Sequence, residues 1–195
     1  VDATLSVIAG YLIGSIDFGV LVPRLFGVDI YAAGSGNPGA SNVLRTMGRR
    51  MAALVMLGDI AKGVAAAAVG DLVGGEFVGF AAGFAAVVGH CFPVWHHLRG
   101  GKGVAAAAGM TLWLEPLLGL GMLAVWGLVV GVTKRASIAS LIVVAAYLPT
   151  LAVCGHGSWS LVWAGATAVL VVVRHHENIR RLLLGAEHTV EGAAP

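Results

Sequence analysis

From Ala136 to Cys154 the chain runs without a charged residue, and it does so again from Leu161 to Val173. Apolar runs of that length belong in a bilayer, where each backbone amide must be satisfied inside its own segment. A chain built this way folds as α-helices packed side by side. Composition points the same way, with 58% of residues hydrophobic and 11% charged, against roughly 25% charged in soluble domains. The mean hydropathy is +0.89. No linker, charged tail or low-complexity block divides the sequence. The prediction is one all-α integral membrane domain spanning residues 1–195. A formal net charge of +2 is too small to ask for nucleic acid as a partner.

Apolar segments bounded by charge, Gly or Pro predict spans near 3–23, 51–70, 77–97, 103–114, 117–133, 136–154 and 158–173. The stretch Ala3 to Val22 lacks a basic segment ahead of it, so it reads as a retained helix rather than a signal peptide. The fourth span is the short one, rising only about 17 Å against a hydrocarbon core of roughly 30 Å. It is either a half-span or fuses with the fifth across Glu115-Pro116. Charge decides between them. With seven crossings and the N-terminus outside, the inner segments hold Arg24, Arg45, Arg49, Arg50, Arg99, Lys102, Lys134, Arg135, Arg174, Arg180 and Arg181. The outer segments hold Asp2, Asp71, Glu76 and Glu115 and no Lys or Arg. Fusion would carry Lys134 and Arg135 outside, so the positive-inside bias favours seven crossings and a cytoplasmic C-terminus.

Three polar islands then share the cytoplasmic face: Gly34 to Arg45, Arg99 to Gly103, and Arg174 to Arg181. The first sets Gly34, Gly36 and Gly39 around Ser35 and Asn37, a segment able to turn backbone N–H groups toward an anion, with Arg45 as a forked clamp. It lacks the Lys-Ser/Thr ending of a nucleotide-binding loop. The bland alternative is a Gly-rich turn. In the second, Gly100-Gly101-Lys102-Gly103 stands before a helix starting at Val104, where free N–H donors and a full charge favour phosphate. A juxtamembrane anchor is the alternative, although an anchor does not need close backbone approach. The third begins an amphipathic helix on which His175 and Asn178 share a face, or else a basic helix lying on the lipid surface.

Asp17, Asp59 and Lys62 fall within the spans, where ionisable groups are costly and are paired or functional. Asp59 and Lys62 share a helix face, and Asp17 is placed to meet Lys62 across two helices, which predicts a structural ion pair. His90 reads equally as a hydrogen-bonded core residue or a site residue. Cys91 and Cys154 have no metal or redox spacing and read as small buried side chains.

Six segments in order carry a resemblance. They are Gly14-Ser15-Ile16, Gly34 to Arg45, Asp59 to Gly63, Gly89-His90-Cys91-Phe92-Pro93, Gly100 to Ala105, and Arg174 to Leu182 with Gly185-Ala186-Glu187. Together, from about residue 10 to residue 187, they resemble the bacterial acyl-phosphate:glycerol-3-phosphate acyltransferase family (PlsY). The departure is Asp17, where the family pattern has Pro.

The resemblance implies transfer of a fatty acyl group from acyl phosphate to the 1-hydroxyl of glycerol 3-phosphate, giving lysophosphatidic acid and inorganic phosphate. It implies a bacterial inner membrane, a cytoplasmic active site, no cofactor and no metal, and we expect a monomer. By match to the family motifs, Ser35, Arg45, Lys102, His175 and Asn178 are the catalytic candidates. Gly36, Asn37, Asn42, Gly100, Gly101, Gly103 and Glu187 are the substrate-binding ones. Either His175 or the substrate phosphate accepts the hydroxyl proton. The other common glycerolipid acyltransferase chemistry pairs His with Asp five positions on, and none of the seven histidines has that partner. A small anion transporter using Asp17, Asp59 and Lys62 is the alternative from another class, as is a scaffold for anionic lipid heads. The absence of an internal repeat and the placing of the polar islands at one surface count against transport.

Overall fold

The computed structural model describes residues 2–155 and 157–191. Helix α1 (Ala3–Gly14) is capped by Asp2, whose Oδ1 accepts from Thr4 N at 3.1 Å. After a break at Ser15 to Asp17 the same apolar stretch continues as α2 (Phe18–Leu25). A single helix over 3–23 was expected here. Asp17 takes an extended conformation (φ −94°, ψ 92°) and interrupts it. A short α3 (Ala40–Met47) follows the first polar island.

The next element, α4 (Arg49–Cys91), is one long run of helical bonding that turns at Gly74 and Gly75, the latter at φ +73°. A Cβ on Gly70 would lie 2.4 Å from the Val78 carbonyl oxygen and 2.7 Å from the Ala82 Cβ. Residues eight and twelve positions apart touch only if the helix folds back, so α4 is two antiparallel arms. The predicted separate helices at 51–70 and 77–97 correspond to these arms. Backbones approach closely wherever small residues face each other. A Cβ on Gly14 would meet the Ala86 carbonyl oxygen at 2.1 Å, which sets α1 directly against the second arm.

A 3₁₀ turn (Val94–His96) leads to α5 (Val104–Leu114), which packs on the first arm of α4. Then come α6 (Pro116–Thr133), α7 (Ala136–Val153), α8 (Ser158–Arg174) and α9 (His176–Leu183), the last bent 54° from α8. Phe80, Met110 and Leu151 are fully buried where the second arm of α4, α5, α7 and α8 meet. The periphery is apolar too: Leu117 is 87% and Val153 88% exposed. Only 6% of the apolar stretch of α6 is buried in protein, a surface that makes sense only against lipid. Among the described residues, four helical segments can cross a membrane by length and composition: Ala3–Leu25, Arg49–His96, Pro116–Thr133 and Ala136–Val153. The bent pair α8 and α9 makes a fifth, while α5 is a shorter apolar helix.

Among the interior charges Asp59 and Lys62 pair, whereas neither oxygen of the buried Asp17 carboxylate meets a hydrogen-bond partner among the described residues. Lys62 Nζ lies 2.8 Å from Asp59 Oδ1, and His90 Nδ1 lies 3.4 Å from the same oxygen. Lys62 also reaches across to the first helix, but there it donates to the Ile16 carbonyl at 2.8 Å rather than pairing with Asp17. The break that Asp17 creates explains this, because it leaves the Ile16 carbonyl without a helical donor.

Candidate active site

Each polar island has a built geometry. In the first, Asn42 is 1% exposed and both ends of its amide are used: Oδ1 accepts from Ser35 N at 2.9 Å, and Nδ2 donates to the Ala33 carbonyl at 2.9 Å. The loop folds tightly over this side chain, with Gly34 at φ +56°, where a Cβ would come within 2.3 Å of Asn42 Oδ1. Arg45, one turn further along α3, donates from Nη2 to Ser35 Oγ at 3.2 Å. The Ser35 hydroxyl is thereby fixed beside a guanidinium. Asn37 also lines the cavity, whereas Gly36 (φ +70°) shapes the turn.

The second island is held from beneath and from the side. Gly101 N donates to the His90 carbonyl at 3.0 Å, and a Cβ on Gly101 would meet His90 Nε2 at 2.2 Å. Arg174 donates from Nε to the Gly101 carbonyl at 3.1 Å and from Nη2 to the Gly100 carbonyl at 2.9 Å. Its guanidinium lies over Phe92, 5.2 Å from the ring centre. Gly103, at φ +86°, turns the chain into α5. Sequence reasoning placed Arg174 in a polar island but gave it no task. Its role as a two-pronged tie on the glycine loop depends on the approach of residues more than 70 positions apart.

The third island completes the constellation. His175 occupies the bend between α8 and α9, is 3% exposed, and has Nδ1 2.7 Å from the Val171 carbonyl. A carbonyl accepts only, so Nδ1 carries the proton and Nε2 keeps its lone pair. On α9, Asn178 accepts from Lys102 Nζ and donates to Glu187 Oε1 at 2.6 Å. Glu187 Oε1 also accepts from Ser137 Oγ at 2.8 Å, and Oε2 from Arg181 Nε at 3.0 Å. Three protein donors thus occupy the Glu187 carboxylate. Ser137 and Arg181, which the sequence did not single out as site residues, enter the site through it.

One cavity joins the islands. Ser35, Asn37, Asn42, Arg45, Lys102, Gly103, His175, Asn178, Arg181 and Glu187 line its polar mouth. Beyond them it runs into an apolar groove bounded by Met122, Leu123, Trp126, Val143, Val144 and Tyr147. Burial pushes the Lys102 ammonium down to about 8, and the nearby Arg181 charge adds to the shift. Burial lowers Arg45 as well. Burial alone would raise Glu187, but hydrogen bonds from Asn178, Ser137 and Arg181 outweigh it and hold the carboxylate ionised. Two partly desolvated cations with incompletely used donors face the cavity, an arrangement suited to phosphate. Among the described residues no group of three His, Cys, Asp or Glu side chains converges to hold a metal ion.

A family model described as Glycerol-3-phosphate acyltransferase matches residues 4–185. The chain belongs to this family, known as PlsY. Curated relatives agree. The glycerol-3-phosphate acyltransferase of Rhizobium meliloti (strain 1021) is 44% identical over 93% of this chain and 89% of its own length. That of Rubrobacter xylanophilus is 42% identical over 96% and 95%. Among solved structures, the crystal structure of PlsY, an integral membrane glycerol 3-phosphate acyltransferase, superposes in its glycerol 3-phosphate form with a TM-score of 0.92. Identity is 38%, covering 96% of this chain and 94% of that one. The lysophosphatidic acid form of the same protein gives a TM-score of 0.88.

Proposed function

We propose that this acyltransferase takes its acyl group from acyl phosphate and delivers it to the 1-hydroxyl of sn-glycerol 3-phosphate. The products are lysophosphatidic acid and inorganic phosphate. The observation that carries the reading is the single cavity in which a cationic, glycine-lined mouth opens into an apolar groove. Such a site suits two phosphates and one acyl tail.

Acyl phosphate is a mixed anhydride and is already activated, so positioning and charge neutralisation supply most of the catalysis. Lys102 and the glycine loop hold one phosphate, and Arg45 with Ser35 holds the other. The glycerol hydroxyl attacks the acyl carbonyl carbon, the carbonyl oxygen takes up negative charge, and the C–O bond to phosphate then breaks. His175 Nε2 or the departing phosphate takes the hydroxyl proton. Asn178 and Glu187 keep Lys102 in place, Gly36 and Asn42 hold the shape of the first loop, and Asn37 faces the substrate from it.

The protein works as a single-domain monomer, without cofactor or metal, in the bacterial inner membrane. We place seven crossings there, with the N-terminus outside, α5 as the short crossing and the site at the cytoplasmic face. The fold-back within α4 and the Lys/Arg distribution support this count and orientation.

The deciding assay uses purified protein with radiolabelled glycerol 3-phosphate and either acyl phosphate or acyl-CoA, with and without chelator. Lysophosphatidic acid should form from acyl phosphate alone and be unaffected by chelator. Full activity with acyl-CoA, or a requirement for Mg²⁺, would overturn the donor assignment.

A further inference from the structure

A second cavity of about 530 Å³ opens outside the active site, lined by Arg24, Asp29, Tyr31, Trp95, His97 and Arg99 among others. None of these residues has been given a part in acyl transfer. Its walls come from the end of α2, the segment following it, and the turn after α4. These parts are tied together: Tyr31 Oη donates to the Arg99 carbonyl at 2.6 Å, and the Arg99 guanidinium stacks 4.8 Å from the Tyr31 ring centre. His97 (φ 52°) and Leu98 (φ 59°) are consecutive non-glycine residues in the left-handed region. Strain of this kind persists only where surrounding structure enforces it. Here Leu98 N is held by the Pro93 carbonyl at 3.1 Å and Arg99 N by the His96 carbonyl at 3.0 Å. The hairpin so formed carries His97 and Arg99 to the cavity opposite Arg24.

Charge in this bay is cationic. Arg24 and Arg99 are the cationic side chains in its lining. Asp29 is the acidic residue in the lining, and its Oδ1 already accepts from Tyr31 N at 3.0 Å. Trp95 in the lining is 62% exposed, and the chain neighbours of the lining residues are apolar and open too: Leu25 is 83%, Phe26 59% and Leu98 55% exposed. Leu25 ends one membrane-crossing segment, and Trp95 lies at the end of another. Exposed aromatic and aliphatic side chains at the ends of spans, next to arginines, match the headgroup level of a bilayer.

We propose that this bay binds the phosphate headgroup of an anionic membrane phospholipid, with Arg24 and Arg99 on the phosphate and Trp95, Leu25 and Phe26 against the glycerol and upper acyl region. The apolar rim favours a lipid over a soluble phosphate, which would leave that surface unused. The site is separate from the catalytic cavity, and the proposal does not depend on which acyl donor the enzyme uses.

The test is native mass spectrometry of the full chain released from detergent with dioleoyl phosphatidic acid or dioleoyl phosphatidylcholine. Lys102→Ala serves as the background that removes binding at the active site. Wild type and Lys102→Ala should both retain one phosphatidic acid in preference to phosphatidylcholine. Arg24→Gln/Arg99→Gln should bind it roughly tenfold or more weakly. Because Arg99 also stacks on Tyr31, Arg24→Glu alone is the second variant, and it should show the same loss with an unchanged melting temperature. Equal retention by both arginine variants would overturn the proposal. So would displacement of the lipid by millimolar inorganic phosphate, which would assign the bay to a soluble anion.

Discussion

Asn178 stands between Lys102 and Glu187, accepting from the ammonium on one side and donating to the carboxylate at 2.6 Å on the other. This spacing keeps two opposite charges from pairing directly. A direct Lys102–Glu187 bridge would use up the charge that a phosphate requires. With the amide interposed, the carboxylate orients Lys102 without neutralising it.

Glu187→Gln should therefore impair turnover although its carboxylate is already filled by protein donors. A hydrogen bond to a charged group contributes about 1.5–3 kcal/mol, so kcat should fall roughly ten- to a hundredfold. The KM for glycerol 3-phosphate should change less. A drop confined to KM would place Glu187 on the substrate rather than behind Asn178.

Lys102→Ala removes a counter-charge to phosphate, and loss of such a donor costs about 2.7–4 kcal/mol, a hundred- to thousandfold in rate. Arg45→Lys should also be harmful, because a point charge cannot both fix Ser35 Oγ and fork onto a phosphate. Asp17→Asn should change catalysis far less. Turnover and folded yield in detergent decide the matter. Activity lost in a well-folded Asp17→Asn but kept in Lys102→Ala would move the site into the helices.

The depressed Lys102 ammonium sets a pH dependence. It is charged below about 8 and neutral above, and a phosphomonoester is fully ionised only above its second pKa near 6. Affinity for glycerol 3-phosphate should thus be greatest between these limits and weaken by up to about tenfold per unit above pH 8. Stability follows the opposite sign. Between about 8 and 10.5 the unfolded chain binds more protons at this lysine than the folded one, so Lys102 makes stability rise with pH there. Weakened binding at pH 9 with no fall in melting temperature is the expected pair of results. Affinity that stays flat from pH 7 to 9.5 would exclude Lys102 as the phosphate's partner.

Gly101→Ala should abolish activity, since its Cβ would overlap His90 Nε2 at 2.2 Å and His90 is buried against Asp59. The adjacent Lys102 would be displaced with the loop. The double variant Gly101→Ala/His90→Ala, which opens space, should recover glycerol 3-phosphate binding by calorimetry. Wild-type binding in the single variant would show that the loop does not need this close seat.

Sidedness is checked with single cysteines at positions 35, 102 and 178 in a background lacking Cys91 and Cys154. All three should resist an impermeant thiol reagent in intact cells and react after lysis. External labelling at any one would break the shared cytoplasmic site.

The helical class and the three polar islands were legible in the sequence because both are local properties. A span is a run of apolar residues, and a phosphate loop is a cluster of glycines beside a cation, so neither needs knowledge of what lies opposite. The separation of 152 positions between Ser35 and Glu187 did not hide the polar residues that line the cavity, since each island announced its own chemistry. What the sequence left open was every relationship between islands. It put Asp17 with Lys62, but the helix break exposed the Ile16 carbonyl, and the ammonium took that acceptor. It gave Arg174 no partner, although folding brings the guanidinium onto Gly100 and Gly101. It named Glu187 as a substrate-binding candidate through the resemblance, but not the Ser137, Asn178 and Arg181 that tertiary packing places around its carboxylate. Propensity and hydropathy act over one or two helical turns, but the pairing of buried polar groups is chosen by which helices meet. Where helices meet at small residues, as Gly14 does Ala86 and Gly63 does Ala106, that choice rests on backbone approach distances, which only the folded structure contains.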